Sequence, residues 1–301
     1  MKKLNKLLLS TLLATASTSI FSAQEEDKRD FVTTEVAPNI YMISGVGGFT
    51  GGNIGLSIGD DGVVMIDDSM PPLLDKMKAA IKKVTDSPID FLVNTHVHGD
   101  HIGHNHQMGK NGTRIVAHEN LRLNMLEKGM PAPKGKVKAT KESLPVITFS
   151  HSMNFHLNGE DARIIHLPKA HTDGDAIIHF KQANVIHAGD VFFNQLFPYI
   201  DYSNGGSIEG YIKGQQKIIK MSNDETKIIP GHGKLSNKKE LKQAVDMLID
   251  AHNLIKKMVS ENMSEDEVVK ANPLAKYHDQ WNWGFITTEK MTRQVYKGLS
   301  K

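Results

Sequence analysis

The stretch FLVNTHVHGDH, residues 91–101, is a short apolar run that leads directly into a cluster of histidines. Phe91–Val93 has the composition of a buried strand. In the extended or loop backbone that follows, side chains two residues apart point the same way, so His96 and His98 can share one metal ion. Asp100 and His101 continue into a turn and can face a second ion. Imidazole and carboxylate groups are typical ligands of Zn²⁺.

The composition supports a metal site without thiolate ligands. The chain has 15 histidines among 301 residues, and five of them fall within residues 96–106. An even spread would place roughly half a histidine in such a window, so the excess favours metal binding. Cysteine is absent, which excludes disulfides, thiolate ligands and a cysteine nucleophile.

Four ligands within six residues cannot complete two metal sites, so further donors must come from elsewhere in the chain. Three candidates follow apolar strand-like runs and have glycine nearby: His171 in AHTDG (170–174), Asp190 in AGD (188–190) and His232 in PGHG (230–233). Loops at one end of a sheet converge on one place, which would bring these distant residues to the histidine cluster.

The rest of the chain predicts a layered α/β domain. Short strand-like runs separated by turns dominate from about residue 31 to residue 66, with the first runs at 40–44, 54–58 and 63–66, and again over residues 114–187. Helices are predicted at 208–222, 238–260 and 265–271. Ser69, followed by two prolines and by apolar residues at helical spacing, predicts a helix with Ser69 as its N-cap. Residues 130–136 predict a long mobile loop. No linker of low complexity occurs, so residues 24–301 are predicted to form one domain with a C-terminal helical extension.

The order of these residues resembles the metallo-β-lactamase superfamily over roughly residues 35–260. The resemblance implies a four-layer αβ/βα sandwich, in which two β-sheets pack face to face with helices outside. It implies one zinc ion on His96, His98 and His171, a second on Asp100, His101 and His232, and Asp190 bridging both. It also implies that Asp67, at the end of the run Val63–Ile66, supports the site from behind the ligands.

The ligands do not identify the substrate. Many β-lactamases of the superfamily have cysteine where Asp190 stands, and Asp190 is the arrangement of thioester, lactone, nuclease and phosphodiesterase members. The first expectation is a dinuclear zinc hydrolase in which two ions activate a water to open a β-lactam amide, with Asp100 as the catalytic proton acceptor. Hydrolysis of a lactone, thioester or other ester is the alternative. A non-catalytic periplasmic metal-binding protein is the alternative from another class.

The N-terminus predicts export. Residues 1–23 contain a lysine-rich start, an apolar run from Leu7 to Ala16 and small residues up to Ala23, which is the order of a secretory signal peptide. Cleavage is expected after Ala23, with Ala16 as the alternative, and the mature protein is expected in the periplasm or outside the cell. The apolar run is too short for a membrane anchor.

Removal of residues 1–23 leaves 33 basic and 34 acidic residues. This balance gives no electrostatic reason for a nucleic-acid or anionic-membrane partner, so a small-molecule substrate is expected. The oligomeric state is left open.

Aromatic residues near the predicted ligands are candidates for the substrate pocket. The segment GVGGFT, residues 45–50, joins two strand-like runs and opens no helix, so it fails the requirements of a phosphate-binding loop. We expect a flap over the site with Phe49 at its tip. For the residues just after Asp190, a pocket role and simple packing are equally supported: Asn194, Phe197, Tyr199 and Tyr202. For Trp281 and Trp283, packing in the core or at a rim is favoured.

Overall fold

The computed structural model describes residues 27–132 and 135–300 as two β-sheets, a short hairpin and surrounding helices. The predicted signal peptide, residues 1–23, lies outside the described residues. Strands are numbered β1–β15 and α-helices α1–α8 along the described chain. Within this part of the chain, no helix combines the length and apolar composition that crossing a bilayer requires.

The first sheet has seven strands in the order β1-β2-β3-β4-β5-β6-β9. They are β1 Asp30–Ala37, β2 Ile40–Val46, β3 Ile54–Gly59, β4 Gly62–Ile66, β5 Phe91–Val93, β6 Arg114–His118 and β9 Ile147–Phe149. Strands β1 to β4 form an antiparallel meander, whereas β4, β5, β6 and β9 are parallel. The parallel part brings the ends of β4 and β5 to the same edge of the sheet.

The second sheet has six strands in the order β10-β11-β12-β13-β14-β15. They are β10 Ser152–Leu157, β11 Glu160–His166, β12 Ala176–Phe180, β13 Val185–Phe193, β14 Lys227–His232 and β15 Ser236–Asn237. Only β13 and β14 are parallel, and their register shifts near Gly189. A separate hairpin consists of β7 Met130–Ala132 and β8 Gly135–Val137.

Helices cover the outer faces of both sheets. Their bounds are α1 Leu74–Lys82, α2 Asn105–Lys110, α3 Glu119–Lys128, α4 Ile208–Met221, α5 Lys238–Ser260, α6 Glu265–Ala271, α7 His278–Trp281 and α8 Thr288–Leu299. Local sequence sets several starts, because Ser207 and Asn237 accept hydrogen bonds from backbone N–H groups in the first turns of α4 and α5. Ser264 and Glu267 form a complete capping box on α6.

Three apolar layers hold these elements together. The central layer lies between the sheets and includes Val64 and Val93 of the first sheet and Ile164 and Ile178 of the second. A second layer packs α1 against the first sheet. The third packs α4, α5 and the C-terminal helices against the second sheet. The predicted four-layer αβ/βα sandwich is therefore confirmed.

Local details differ from the sequence prediction in two places. The first helix begins later than predicted, with Leu73 as N-cap, and the buried Ser69 hydroxyl instead donates to the carbonyl of Thr50. The two prolines between them stand before the helix. Residues 130–136 were predicted as a mobile loop, but 130–132 and 135–136 instead belong to β7 and β8, which pair through contacts such as Met130 with Val137. Residues 133 and 134 lie outside the described residues.

The topology gathers the predicted site residues at one edge of the sandwich. Asp67 follows β4, and His96 lies three residues beyond β5. On the other sheet, Asp190 lies within β13 and His232 ends the parallel strand β14. Ligands in open α/β sheets bind at such strand ends.

Candidate metal centre

The structure places the seven predicted ligands in two adjacent groups of metal-binding atoms. One group is His96, His98, His171 and Asp190, and the other is Asp100, His101 and His232. Within each group the donor atoms lie within 4.8 Å of one another. All are buried except His98 and Asp100, which are partly exposed.

Asp190 lies between the two groups and faces both. Its Oδ2 is 3.4 Å from Nε2 of His96 and 3.4 Å from Nε2 of His171. Its Oδ1 is 3.1 Å from Nε2 of His101 and 3.4 Å from Nε2 of His232. One carboxylate oxygen is thus available to each group.

The ring nitrogens that face away from the centre are held by the protein. His171 Nδ1 donates to the carbonyl of Tyr199 at 2.8 Å, and His98 Nε2 lies 2.9 Å from Oδ2 of Asp201. Since these outer nitrogens face acceptors and carry the hydrogens, the inner nitrogens present lone pairs. The inner atoms, Nδ1 of His98 and Nε2 of His171, are only 2.9 Å apart. A proton or a metal ion between the two atoms would satisfy both lone pairs.

Asp67 connects the two groups from behind. Its Oδ2 accepts hydrogen bonds from Nδ1 of His101 and from the Thr95 hydroxyl, both at 2.7 Å. The Thr95 oxygen in turn lies 3.0 Å from Nδ1 of His96. Asp67 therefore orients one histidine of each group. The neighbouring Asp68 faces away and accepts from the backbone N–H of His104.

Burial keeps part of the first group neutral. It lowers the pKa of His96 well below its usual value and the pKa of His171 to about 4. The Nε2 atom of His96 is buried and has no hydrogen-bond partner. Neutral imidazole with a free lone pair is the form that binds metal.

The second group concentrates charge. Burial alone would lower the pKa values of His101 and His232. The negative charges of Asp190 and Asp100 outweigh burial, so the pKa of His101 lies well above its usual value and the pKa of His232 rises to about 9. Burial alone would raise the pKa of the two carboxyl groups, but the histidines hold Asp100 near 2 and Asp190 well below its usual value. Metal binding here would displace protons from the histidines, so affinity would rise with pH.

Two glycines allow the backbone to approach the ligands. A Cβ on Gly231 would lie 2.0 Å from Oδ1 of Asp190, and a Cβ on Gly52 would lie 2.1 Å from the His101 ring. Any other residue at either position would displace a ligand. The site is thus built to bring its donors close together, and its nitrogen and oxygen atoms fit a divalent metal ion.

A cavity of about 1120 Å³ opens above the metal-binding atoms. Four residues of the centre face it: His98, Asp100, Asp190 and His232. The rest of its wall is mainly apolar and includes Phe49, Met70, Pro131, Phe193, Tyr199, Trp283 and Phe285. Arg29 is the single lysine or arginine among its described lining residues.

The aromatic candidates divide between this cavity and the core. Phe49, 51% exposed, stacks over His232 with ring centroids 5.7 Å apart, which agrees with the expected flap. Tyr199 and Trp283 line the cavity, while Trp281 is buried in the core. The other three aromatic or amide candidates, Asn194, Phe197 and Tyr202, are not among the lining residues.

Apart from Asp67, the groups that orient the ligands were not predicted from the sequence. Asp201 also accepts from backbone N–H groups of Ser203 and Asn204, so in sequence it looks like an ordinary turn residue. Thr95 could have been identified from the sequence, because it directly precedes the first ligand. The Tyr199 carbonyl carried none, because any residue supplies a backbone oxygen.

Known proteins of the same fold match this chain. The model of the metallo-beta-lactamase superfamily matches residues 47–232. A linear primary-alkylsulfatase from Pseudomonas sp. (strain ATCC 19151) is 23% identical over 268 residues, covering 74% of this chain and 51% of that protein. The chain thus spans about half the length of this curated relative.

Two solved structures show the shared fold. A metallo-beta-lactamase from Pontibacter korlensis matches with a TM-score of 0.62 and 15% identity, covering 73% of this chain and all of that one. The sec-alkylsulfatase Pisa1 from Pseudomonas sp. matches with a TM-score of 0.64 and 17% identity, covering 88% of this chain and 49% of that one. Because the family model extends over more than half of the sequence, the chain belongs to the metallo-beta-lactamase superfamily.

Proposed function

We propose that the protein is a hydrolase that holds two zinc ions. His96, His98 and His171 would bind one ion, and Asp100, His101 and His232 the other, with one oxygen of Asp190 toward each. The support is the geometry of the two donor groups, which contain nitrogen and oxygen atoms but no sulfur. When bound, zinc supplies a Lewis acid and a water that is acidic enough to attack at neutral pH.

The protein's own groups would orient this reaction. Asp100 is the acidic residue best placed to act on the water, since its side chain is 22% exposed and faces the cavity. Its low pKa keeps it ionised, so its carboxylate can accept a hydrogen bond from the attacking water and align it. The aromatic wall excludes bulk water around the scissile bond.

The substrate is proposed to be an ester, thioester or lactone with an apolar group beside the scissile bond. The observation that carries this is the aromatic and aliphatic wall directly above the metal-binding atoms. The presence of Asp190 rather than cysteine agrees with this class.

Hydrolysis of a β-lactam amide is the second candidate. One comparison favours it: the metallo-beta-lactamase from Pontibacter korlensis is covered over its whole length, whereas the alkylsulfatases extend far beyond this chain. The ring amide of a β-lactam would fit the same centre.

The test is a substrate panel with the zinc-loaded protein, residues 24–301. The panel contains a 4-nitrophenyl ester, a thioester, a lactone, a penicillin, a cephalosporin, a carbapenem and a primary alkyl sulfate, each with a chelated control. We expect chelator-sensitive turnover, fastest on the ester-type substrates. Faster β-lactam hydrolysis would select the second candidate. No turnover by protein with two verified zinc ions would contradict both and favour a non-catalytic metal-binding protein.

Export is a further part of the proposal. The lysine-rich start and apolar run of residues 1–23 support a signal peptide and a periplasmic or secreted protein. The N-terminal sequence of the protein recovered from the periplasm of a Gram-negative host tests this. Gln24 as the first residue is expected, and retention of Met1 in the cytoplasm would contradict it.

Thr95→Val is expected to weaken zinc binding by about tenfold to a hundredfold. The change removes the hydroxyl that links Asp67 to His96 while keeping a similar side-chain volume. Competition with a chromophoric chelator measures the affinity. Thr95→Ser, which keeps the hydroxyl, serves as the matched control and should retain most of the zinc affinity. Equal affinities of the valine and serine variants would contradict the role of the hydroxyl.

Phe49→Ala is expected to raise KM for substrates with a large apolar group by about tenfold, because the exposed ring covers the cavity beside His232. The value of kcat should change less, since Phe49 is not itself a group proposed to act on the water. Phe285→Ala removes a ring of similar exposure from another part of the cavity wall and gives a comparison. Unchanged KM values for every substrate would contradict a flap role for Phe49.

A further inference from the structure

Arg29 is a charged residue in the cavity that the proposed chemistry leaves without a role. It lies just before β1 and is the one lysine or arginine among the described lining residues. Its side chain is 26% exposed, so its guanidinium group can be reached by solvent and by small molecules. The acidic lining residues, Asp100 and Asp190, already face the histidines of the metal centre.

Contacts place Arg29 one side chain away from the metal-binding atoms. Its Nη1 lies 3.4 Å from the carbonyl of Phe49, and the Phe49 ring stacks over His232. The arginine stem also packs beside Gly48, where a Cβ would lie 3.0 Å from Cγ of Arg29. The guanidinium group is thus held on the wall that carries the flap.

The guanidinium group already binds a carboxylate in the geometry that an anionic ligand would use. The Asp27 carboxylate accepts hydrogen bonds from Nε of Arg29 at 2.9 Å and from Nη2 at 2.7 Å, which is the two-point pairing typical of arginine. This pair is solvent-accessible, with the Asp27 side chain 41% exposed. Accessible ion pairs contribute little stability, so another carboxylate can replace Asp27 at small cost.

We propose that Arg29 is a specificity-determining residue that binds a carboxylate of the substrate, remote from the scissile bond. The substrate would then be a largely apolar ester, thioester or lactone that carries one negative charge. This inference rests on the proposed hydrolase function, because it assumes that the scissile bond lies at the metal centre. The apolar wall would hold the body of the molecule, and Arg29 would set its direction.

A matched pair of substrates tests the proposal on the zinc-loaded protein. The pair is 4-nitrophenyl butyrate, which is neutral, and mono-4-nitrophenyl glutarate, which adds a terminal carboxylate. Arg29→Met keeps the stem and removes the charge. It is expected to lower kcat/KM for the glutarate ester about tenfold to a hundredfold more than for the butyrate ester, mainly through KM.

Further variants separate this role from general charge and folding effects. Arg29→Lys keeps the charge but loses the two-point geometry, so an intermediate value for the glutarate ester is expected. Lys82→Met removes the charge of an exposed residue of α1 that does not line the cavity. It should leave kcat/KM unchanged for both substrates. Asp27→Asn removes the competing carboxylate and should raise kcat/KM for the glutarate ester. This variant also tests the proposal if Arg29→Met folds poorly.

A binding measurement keeps the proposal testable even if neither ester is hydrolysed. Trp283 lines the cavity, so its fluorescence can report the binding of 4-phenylbutyrate and of the neutral 4-phenylbutyramide. We expect the wild type to prefer the carboxylate and Arg29→Met to lose that preference. A preference that persists in Arg29→Met would place the carboxylate at the metal ions and overturn the proposal. Absence of any preference in the wild type, or of any binding, would overturn it as well.

Discussion

Asp190→Asn is expected to leave at most one tightly bound zinc ion per chain and to lower kcat/KM by at least about a thousandfold. Among the described residues, Asp190 is the one carboxylate whose two oxygens face both sets of histidines, at 3.1 to 3.4 Å. An amide supplies one oxygen and no negative charge, so it cannot serve both ions. Metal content after gel filtration and steady-state kinetics measure the two effects.

The matched control for this change is Asp250→Asn. Asp250 pairs with Lys276 and Tyr277 and is not part of either metal-binding group. The Asp250→Asn variant should keep two zinc ions and show the kinetics of the wild type. Two tightly bound zinc ions in Asp190→Asn, together with activity near that of the wild type, would contradict the bridging role.

Asp100→Asn is expected to lower kcat by about a hundredfold to ten-thousandfold while KM changes by less than about threefold. Asparagine keeps the shape and one ligand oxygen, but it cannot take a proton or hold the water as a charged acceptor. The side chain faces the cavity, and its partner His232 lies 3.3 Å away. The loss should therefore appear in kcat rather than in substrate binding.

Two measurements keep this result interpretable. Metal content must be determined for Asp100→Asn, because the residue is also a ligand of the second proposed ion. His106→Asn changes a half-exposed histidine in α2, outside both metal-binding groups, and should leave kcat unchanged. A normal kcat in Asp100→Asn protein that holds two zinc ions would contradict a catalytic role for Asp100.

The parts of the fold that could be predicted are those with strong local signals. The helices from Ile208, Lys238 and Glu265 begin beside capping residues, and their bounds agree with the prediction within one residue. The strand Asp30–Ala37 was predicted only as part of a strand-rich region from about residue 31, without bounds of its own, because it mixes polar and apolar residues and gains its order from pairing with β2. Helix α3 was not predicted either, because its apolar residues form no clear stripe and its N-cap is the unusual His118.

The candidate ligands could be predicted because metal binding leaves a pattern of residue types in the sequence. All seven lie together, and Asp67 lies directly behind them. Asp201 and Arg29 could not be identified in this way. An aspartate that orients a histidine has no distinctive neighbours in sequence, and an arginine becomes notable only when the fold places it in an otherwise apolar cavity. Such roles depend on long-range contacts.

Anomalous diffraction at the zinc absorption edge, from crystals of the zinc-loaded mature protein, measures the metal positions directly. Two peaks per chain are predicted. One should lie about 2.0–2.2 Å from nitrogen atoms of His96, His98 and His171, and the other at similar distances from Asp100, His101 and His232. Asp190 should contact both. A single peak, or peaks away from these residues, would contradict a two-zinc centre.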